Sequence, residues 1–232
     1  WAEQDAEDWL NAFCASTRKL LARTDNQQER IRAVSFSGQM MGCLCVDREG
    51  KPLRPSIIWA DQRAQQEAEE IEKAISQWEY YQITGHRNTA SYGIQKLMWV
   101  KKHEPEIYRN TYKMLNAKDF MVQKLTGVFC TDYSDANGCG FFDLKKLDWS
   151  EELLNLSGID RRKLPDVKPS TFCAGKITEE AARQTGLTKE TAVIIGAGDG
   201  VATNAGAGSV SSGKTFCCMG TSAWITTTSE QP

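Results

Sequence analysis

The stretch "TAVIIGAGDGVATNAGAG", residues 191–208, restricts the possible folds of this chain more than any other. A β-branched apolar run ends in Gly196-Ala197-Gly198-Asp199-Gly200, and small residues then follow at helical spacing. That order reads as a strand, a tight loop and the opening of a helix. In open α/β sheets ligands bind beyond the carboxyl ends of strands, so Asp199 is placed where a ligand would lie. The flanking glycines allow unusual backbone angles and leave room for something to approach. A tight structural turn explains them equally well. The spacing is not that of a dinucleotide fingerprint, because no third glycine stands at position 201. An acid so placed suits a general base that takes a proton from a hydroxyl.

Elsewhere, strands and helices interleave. Residues 5–22 carry Trp9, Leu10, Phe13, Cys14, Leu20 and Leu21 as one stripe of a helix. "IRAVSFSG" is a strand closed by glycine. "CLCVDREGKPL" reads as a strand, a turn at Glu49-Gly50 and a return, and "SIIWA" as a further strand. Residues 61–77 form a polar surface helix, and "GHRNTASYG" is a loop. "IQKLMWVKKHEP" is a helix stopped by Pro105, and "NAKDFMVQKLTG" one ended by Gly127. "CGFFDLKKLDWSEELLNLSGI" gives a strand and a helix from about Ser150, and "ITEEAARQTGL" a helix capped by Thr178. "KTFCCMGTSAWITTT" is a hairpin-like pair around Gly220-Thr221-Ser222. The class is α/β.

Composition closes several functional classes. Twenty-eight Lys and Arg against 30 Asp and Glu give a formal charge of -2, which offers no basic field for nucleic acid or an anionic membrane. No apolar run reaches the roughly 18 residues of a spanning helix. The eight cysteines contain no Cys-x-x-Cys pair, and His86 and His103 stand far from all of them, so zinc is not expected. They read as small core residues in a reducing cytoplasm. The first residue is Trp, already entering a helix, and the chain is expected to be a piece of something longer.

Three further stretches carry candidate chemistry. "SFSGQMMG" presents Gln39, Met40 and Met41 beyond a strand end, as ligand contacts or as a turn with core methionines. "IIWADQRA" sets Trp59 beside Asp61 and Arg63, which either grip hydroxyls, cap the following helix or tie the Trp59 loop in place. "CMGTSAW" offers the amides and hydroxyls of Gly220, Thr221 and Ser222 as a phosphate cradle, with Trp224 beside it.

Taken in order, the pieces "SGQMMG", "DREGKPLRPSIIWADQRA", "KLMW", "KDFMVQKLTGVFCTDYSDANGCGFFDLKKLDW", "GAGDG" and "MGTS" resemble the FGGY family of carbohydrate kinases. The similarity is greatest to the branch acting on pentuloses such as xylulose, and it covers essentially the whole chain. It implies a ribonuclease-H-like α/β domain of the actin and Hsp70 ATPase superfamily, a mixed sheet flanked by helices. Residues 1–208 would be the sugar-binding domain without its first phosphate-loop strand, and residues 209–232 the start of an ATP-binding domain.

The implied reaction is ATP-dependent phosphorylation of a sugar hydroxyl, with Asp199 as base. Gln39, Met40, Met41, Trp59 and Trp224 would contact the sugar, and Gly220, Thr221 and Ser222 the nucleotide phosphates. Mg2+ would be held mainly by the nucleotide and by segments outside this chain, which alone should turn over little ATP. The setting is cytoplasmic, and a homodimer is left open. Met41 is a departure: xylulose kinases usually read Gln-Met-His-Gly there. A thioether cannot donate a hydrogen bond, so a related ketose or polyol competes with xylulose as the substrate. The rival readings are a kinase-fold sugar sensor without turnover and an actin- or Hsp70-like ATPase.

Overall fold

The computed structural model describes residues 1–25, 27–219 and 223–230. Its centre is a three-stranded mixed sheet. The strand Ala192–Gly198 lies in the middle, parallel to Ala33–Gly38 and antiparallel to Cys173–Lys176. Val193 and Ile195 point inward and are fully buried. They pack with Val122 and Leu125 from the helix Ala117–Thr126 and with Leu21 from the helix Ala6–Arg23. Full burial of each such side chain contributes roughly 1.5–3 kcal/mol.

The parallel pairing aligns Ala192 with Ala33 and Gly198 with Gly38, with an irregularity between Ile194 and Ala197. Gly196 occupies that irregularity at φ +77, and a Cβ there would fall 1.9 Å from the Phe36 carbonyl oxygen. Only glycine fits. The two strands therefore end level, and both carboxyl ends open on the same side of the molecule.

A second, larger core lies beside this sheet. It is built by the helix Gly93–His103, through Ile94, Leu97 and Val100, together with Tyr80, Phe141, Phe142, Trp149 and Leu153. Pro105 opens a new helix, Pro105–Asn110, as its missing N–H allows at a first helical position. The helices expected near residues 5–22, 117–126, 151–157 and 179–185 all form.

Two expectations are corrected, and a third is borne out in looser form. The polar run 61–77 is not one helix: Gln65–Ala74 ends, Ile75 is extended, and Gln77–Thr84 begins anew. Ser76 causes the break, because its Oγ accepts from the Glu79 amide while the Glu79 carboxylate accepts from the Ser76 amide. The strand Leu44–Val46 does turn at Glu49-Gly50 and return, as expected: the Asp47 amide donates to the Lys51 carbonyl, the Leu53 amide donates to the Cys45 carbonyl, and Val46 bridges Pro52, while the strand's ladder partner is Lys113–Leu115. Within "SIIWA" only Ser56–Ile57 is strand, paired with Glu3–Gln4, and Trp59 lies in the turn that follows.

Candidate active site at the carboxyl ends of the parallel strands

Asp199 is the first residue of the helix Asp199–Gly206, directly beyond the central strand. Its Oδ1 accepts from the Gly200 amide at 2.8 Å, and its carbonyl accepts from Thr203 Oγ1 at 2.7 Å. The side chain is exposed. It opens on a hollow of about 550 Å³ lined by Met40, Met41, Trp59, Gly200, Thr203, Cys218 and Trp224 as well. That volume lies within the range of small-molecule pockets. The walls are largely apolar, and among the described residues the lining holds one carboxylate and no cation.

The glycines around the acid mainly make room for the protein itself. Gly196 clears the Phe36 backbone, and a Cβ at Gly198 would lie 2.4 Å from Met40 Cγ and 2.6 Å from its Sδ. Met40 thus packs directly against the strand end at Gly198, the residue before Asp199. Of the two readings of these glycines, the structural one accounts for Gly196 and Gly198, whereas Gly200 lines the hollow.

A buried charge cluster adjoins the ends of the parallel strands, where a Cβ at Gly38 would lie 3.1 Å from Lys118 Cβ. Lys118 Nζ stands 2.7 Å from Asp119 Oδ1, 2.8 Å from Asp132 Oδ1 and 3.0 Å from Asp135 Oδ2, and all four side chains are wholly buried. Ser134 and Ser170 donate their hydroxyls to Asp132 Oδ2 at 2.6 and 2.7 Å. Ser134 Oγ in turn accepts from the Gly198 amide at 2.8 Å. A continuous polar path therefore runs from the ammonium to the residue preceding Asp199.

Burial raises the pKa of Asp132, but Lys118 and the two serine hydroxyls outweigh it and leave the carboxyl below its ordinary value. Asp135 is pushed up to about 8, chiefly by burial, with the neighbouring carboxylates adding to the rise and Lys118 opposing it. In the folded state Asp135 therefore holds its proton far more tightly than the roughly 3.9 of an unfolded aspartate. Its contribution to stability is fully present below about pH 4 and is lost as pH rises through about 8. Asp135→Asn should flatten the decline in urea midpoint over that window. An unchanged pH profile would show that Asp135 is not the group responsible.

The other sequence candidates divide. Met40, Met41, Trp59 and Trp224 line the hollow with Asp199. Trp224 is braced edge-on by Phe216 at 5.3 Å. Gln39 is not part of the lining, and its amide donates to Gln4 Oε1 at 2.7 Å. Gly220, Thr221 and Ser222 lie outside the described residues.

Asp61 does not cap the next helix, which starts after Ala64 without a side-chain cap. Its buried carboxylate instead binds the Ala2 amide and the Arg63 guanidinium, while its own amide donates to the Ile58 carbonyl. Burial opposes the Asp61 charge, yet Arg63 and the two amides draw its pKa down to about 2. Asp61 and Arg63 thus tie the Trp59 turn and do not face the hollow. The sequence reasoning did not find Thr203 or Cys218 as lining residues. Thr203 is four residues from Asp199 on one helix face, a spacing that could have indicated it.

A mixed sheet with helices packed on it, and an acid at the carboxyl end of its central strand, define a ribonuclease-H-like domain of the actin and Hsp70 ATPase superfamily. A family model described as the N-terminal domain of the FGGY family of carbohydrate kinases matches residues 1–206, and the chain belongs to that family. It is 33% identical over 231 residues to a xylulose kinase of Bacillus subtilis, covering 100% of this chain and 46% of that protein. It is 32% identical to a gluconokinase of the same organism, covering 100% of this chain and 45% of that protein. The crystal structure of xylulose kinase from Rhodospirillum rubrum superposes with a TM-score of 0.91 at 28% identity, over 97% of this chain and 46% of that one. The chain thus spans about half the length of the relatives it matches.

Proposed function

We propose that this chain forms the acceptor-binding part of an ATP-dependent carbohydrate kinase, with a pentulose such as xylulose as acceptor and Asp199 as base. The observation that carries this reading is the exposed Asp199 carboxylate facing a hollow shared with Met41, Trp59 and Trp224. Apolar walls suit the C–H faces of a sugar, and one carboxylate at the floor suits one reacting hydroxyl. The Gly200 amide holds one oxygen of Asp199 in place. As the sugar oxygen forms its bond to the γ-phosphorus and the bond to ADP breaks, the hydroxyl proton passes to the carboxylate. Phosphoryl transfer asks for this kind of positioning rather than covalent catalysis.

The lining supports a neutral acceptor over an anionic one. Gluconate carries a carboxylate, which beside Asp199 would meet a like charge and, among the described residues, no cation in the walls. A neutral ketose meets no such penalty. Gly220, Thr221 and Ser222 are proposed for the nucleotide phosphates. Mg2+ is proposed to be held mainly by the nucleotide and by segments outside this chain. Residues 1–208 are proposed as the sugar domain, and the Thr215–Met219/Ala223–Thr227 hairpin as the start of the next.

A ligand that binds only the folded state raises the melting temperature. Millimolar xylulose or ribulose should therefore stabilise this chain, and gluconate should not. Stabilisation by gluconate alone would reverse the assignment of acceptor, and a flat response to every polyol would remove the sugar site.

A further inference from the structure

The run "KLMW", residues 96–99, sits in the helix Gly93–His103, where Ile94, Leu97, Met98, Trp99 and Val100 are all buried. Lys96 is buried with them at 0% exposure. Lysine is almost never fully buried unless paired, yet among the described residues no carboxylate lies within ion-pair distance of it. Its ammonium instead donates to three backbone carbonyls: Met41 at 2.8 Å, Ile58 at 2.8 Å and Ser91 at 2.6 Å. Three donors meet three acceptors from three separate segments.

Two of those segments are walls of the hollow. Met41 lines it directly, and Ile58 immediately precedes Trp59. Met41 also sits at φ +62, a left-handed conformation that a residue other than glycine keeps only when its surroundings enforce it. The third segment is linked to the same region, since Ser91 Oγ accepts from Gln62 Nε2 at 2.6 Å. An apolar side chain would fill this site in an apolar helix without the cost of burying a charge. What lysine adds is the three-way tie.

We propose that Lys96 is the positioning residue of the acceptor pocket: its ammonium clamps the Met41 wall to the Trp59 wall and sets the gap into which the sugar fits. The acceptor part of this statement rests on the kinase reading above; the clamp itself does not. Burial draws the Lys96 ammonium down to about 8, against Cys43, Asp61 and Cys139, which favour its charge, and with Arg63, which opposes it. Loss of the proton turns a lone pair toward a carbonyl and opens the clamp. Pocket order should therefore fall as pH rises through about 8.

The test compares this chain as wild type and as Lys96→Met. It measures xylulose affinity by calorimetry and, with no ligand present, the Met41 methyl and Trp59 indole resonances by NMR. The expected result is affinity at least tenfold weaker in the variant at pH 7, with both resonances displaced. The wild-type resonances should titrate together near pH 8, and those of the variant should not. Wild-type affinity with unmoved resonances would overturn the proposal. Should Lys96→Met fail to fold, Lys96→Gln takes its place, and wild-type affinity with unmoved resonances in that variant overturns the proposal. If the wild type binds no polyol but the two resonances still respond together, the clamp stands and the kinase reading fails.

Discussion

On the mechanism proposed above, replacing Asp199 with Asn is expected to lower the turnover of the kinase that carries this chain by about 10²- to 10⁴-fold, the range that a lost general base costs. Sugar affinity should stay within about threefold. Asparagine has the same shape, and its carbonyl oxygen can still accept from the Gly200 amide that now holds Oδ1. It cannot accept the proton of the attacking hydroxyl. Stability should change little, because an exposed acid at a helix N-terminus contributes only about 0.3–1 kcal/mol. Separate measurement of kcat and KM with coupled ADP detection checks this. A loss confined to kcat identifies an interaction made only in the transition state. A variant with near wild-type kcat would remove Asp199 as base. Tight ketose binding by a wild type that shows no turnover would support the sensor reading.

The second large effect falls on stability. Lys118→Met should destabilise the chain by about 3–5 kcal/mol, the usual cost of removing one partner from a buried ionic cluster. Total stabilities of about 5–15 kcal/mol make that a substantial fraction. The ammonium lies within 3.0 Å of Asp119, Asp132 and Asp135, and nothing of these four side chains reaches solvent. Without it the carboxyls of Asp119 and Asp132 must either stay charged in a dry site or bind protons, Asp135 already holding its own at pH 7. The loss should therefore be larger at pH 7 than at pH 5, where protonation is easier. Urea unfolding at the two pH values measures this, and a loss below about 1 kcal/mol at pH 7 would contradict it. Because the path Lys118–Asp132–Ser134 ends on the Gly198 amide, the same change should also loosen the seat of Asp199.

Much of this was legible in the residues. The β-branched run and the small residues after Asp199 gave the strand, the loop and the helix. The ordered motifs gave the family, and with it the meeting of Met41, Trp59 and Trp224 on one acid. The break at Ser76 was missed, although Ser76 followed three residues later by Glu79 is a local capping signature that outweighs helix propensity. Gln39 was not legible: nothing near it in sequence announces that its amide turns to Gln4, 35 residues earlier.

Local physics therefore settled which segments are strands and helices and where the acid emerges, because propensities, caps and β-branching act over a few neighbouring residues. Only the tertiary structure decided why the glycines are glycines and what two lysines do. Gly196 and Gly198 answer to Phe36 and Met40, which approach from distant parts of the chain. Lys96 and Lys118 look like ordinary surface cations in a helical sequence. Burial against carbonyls in one case and carboxylates in the other turns them into the ties that hold the pocket, and burial is set by packing between segments that sequence spacing does not reveal.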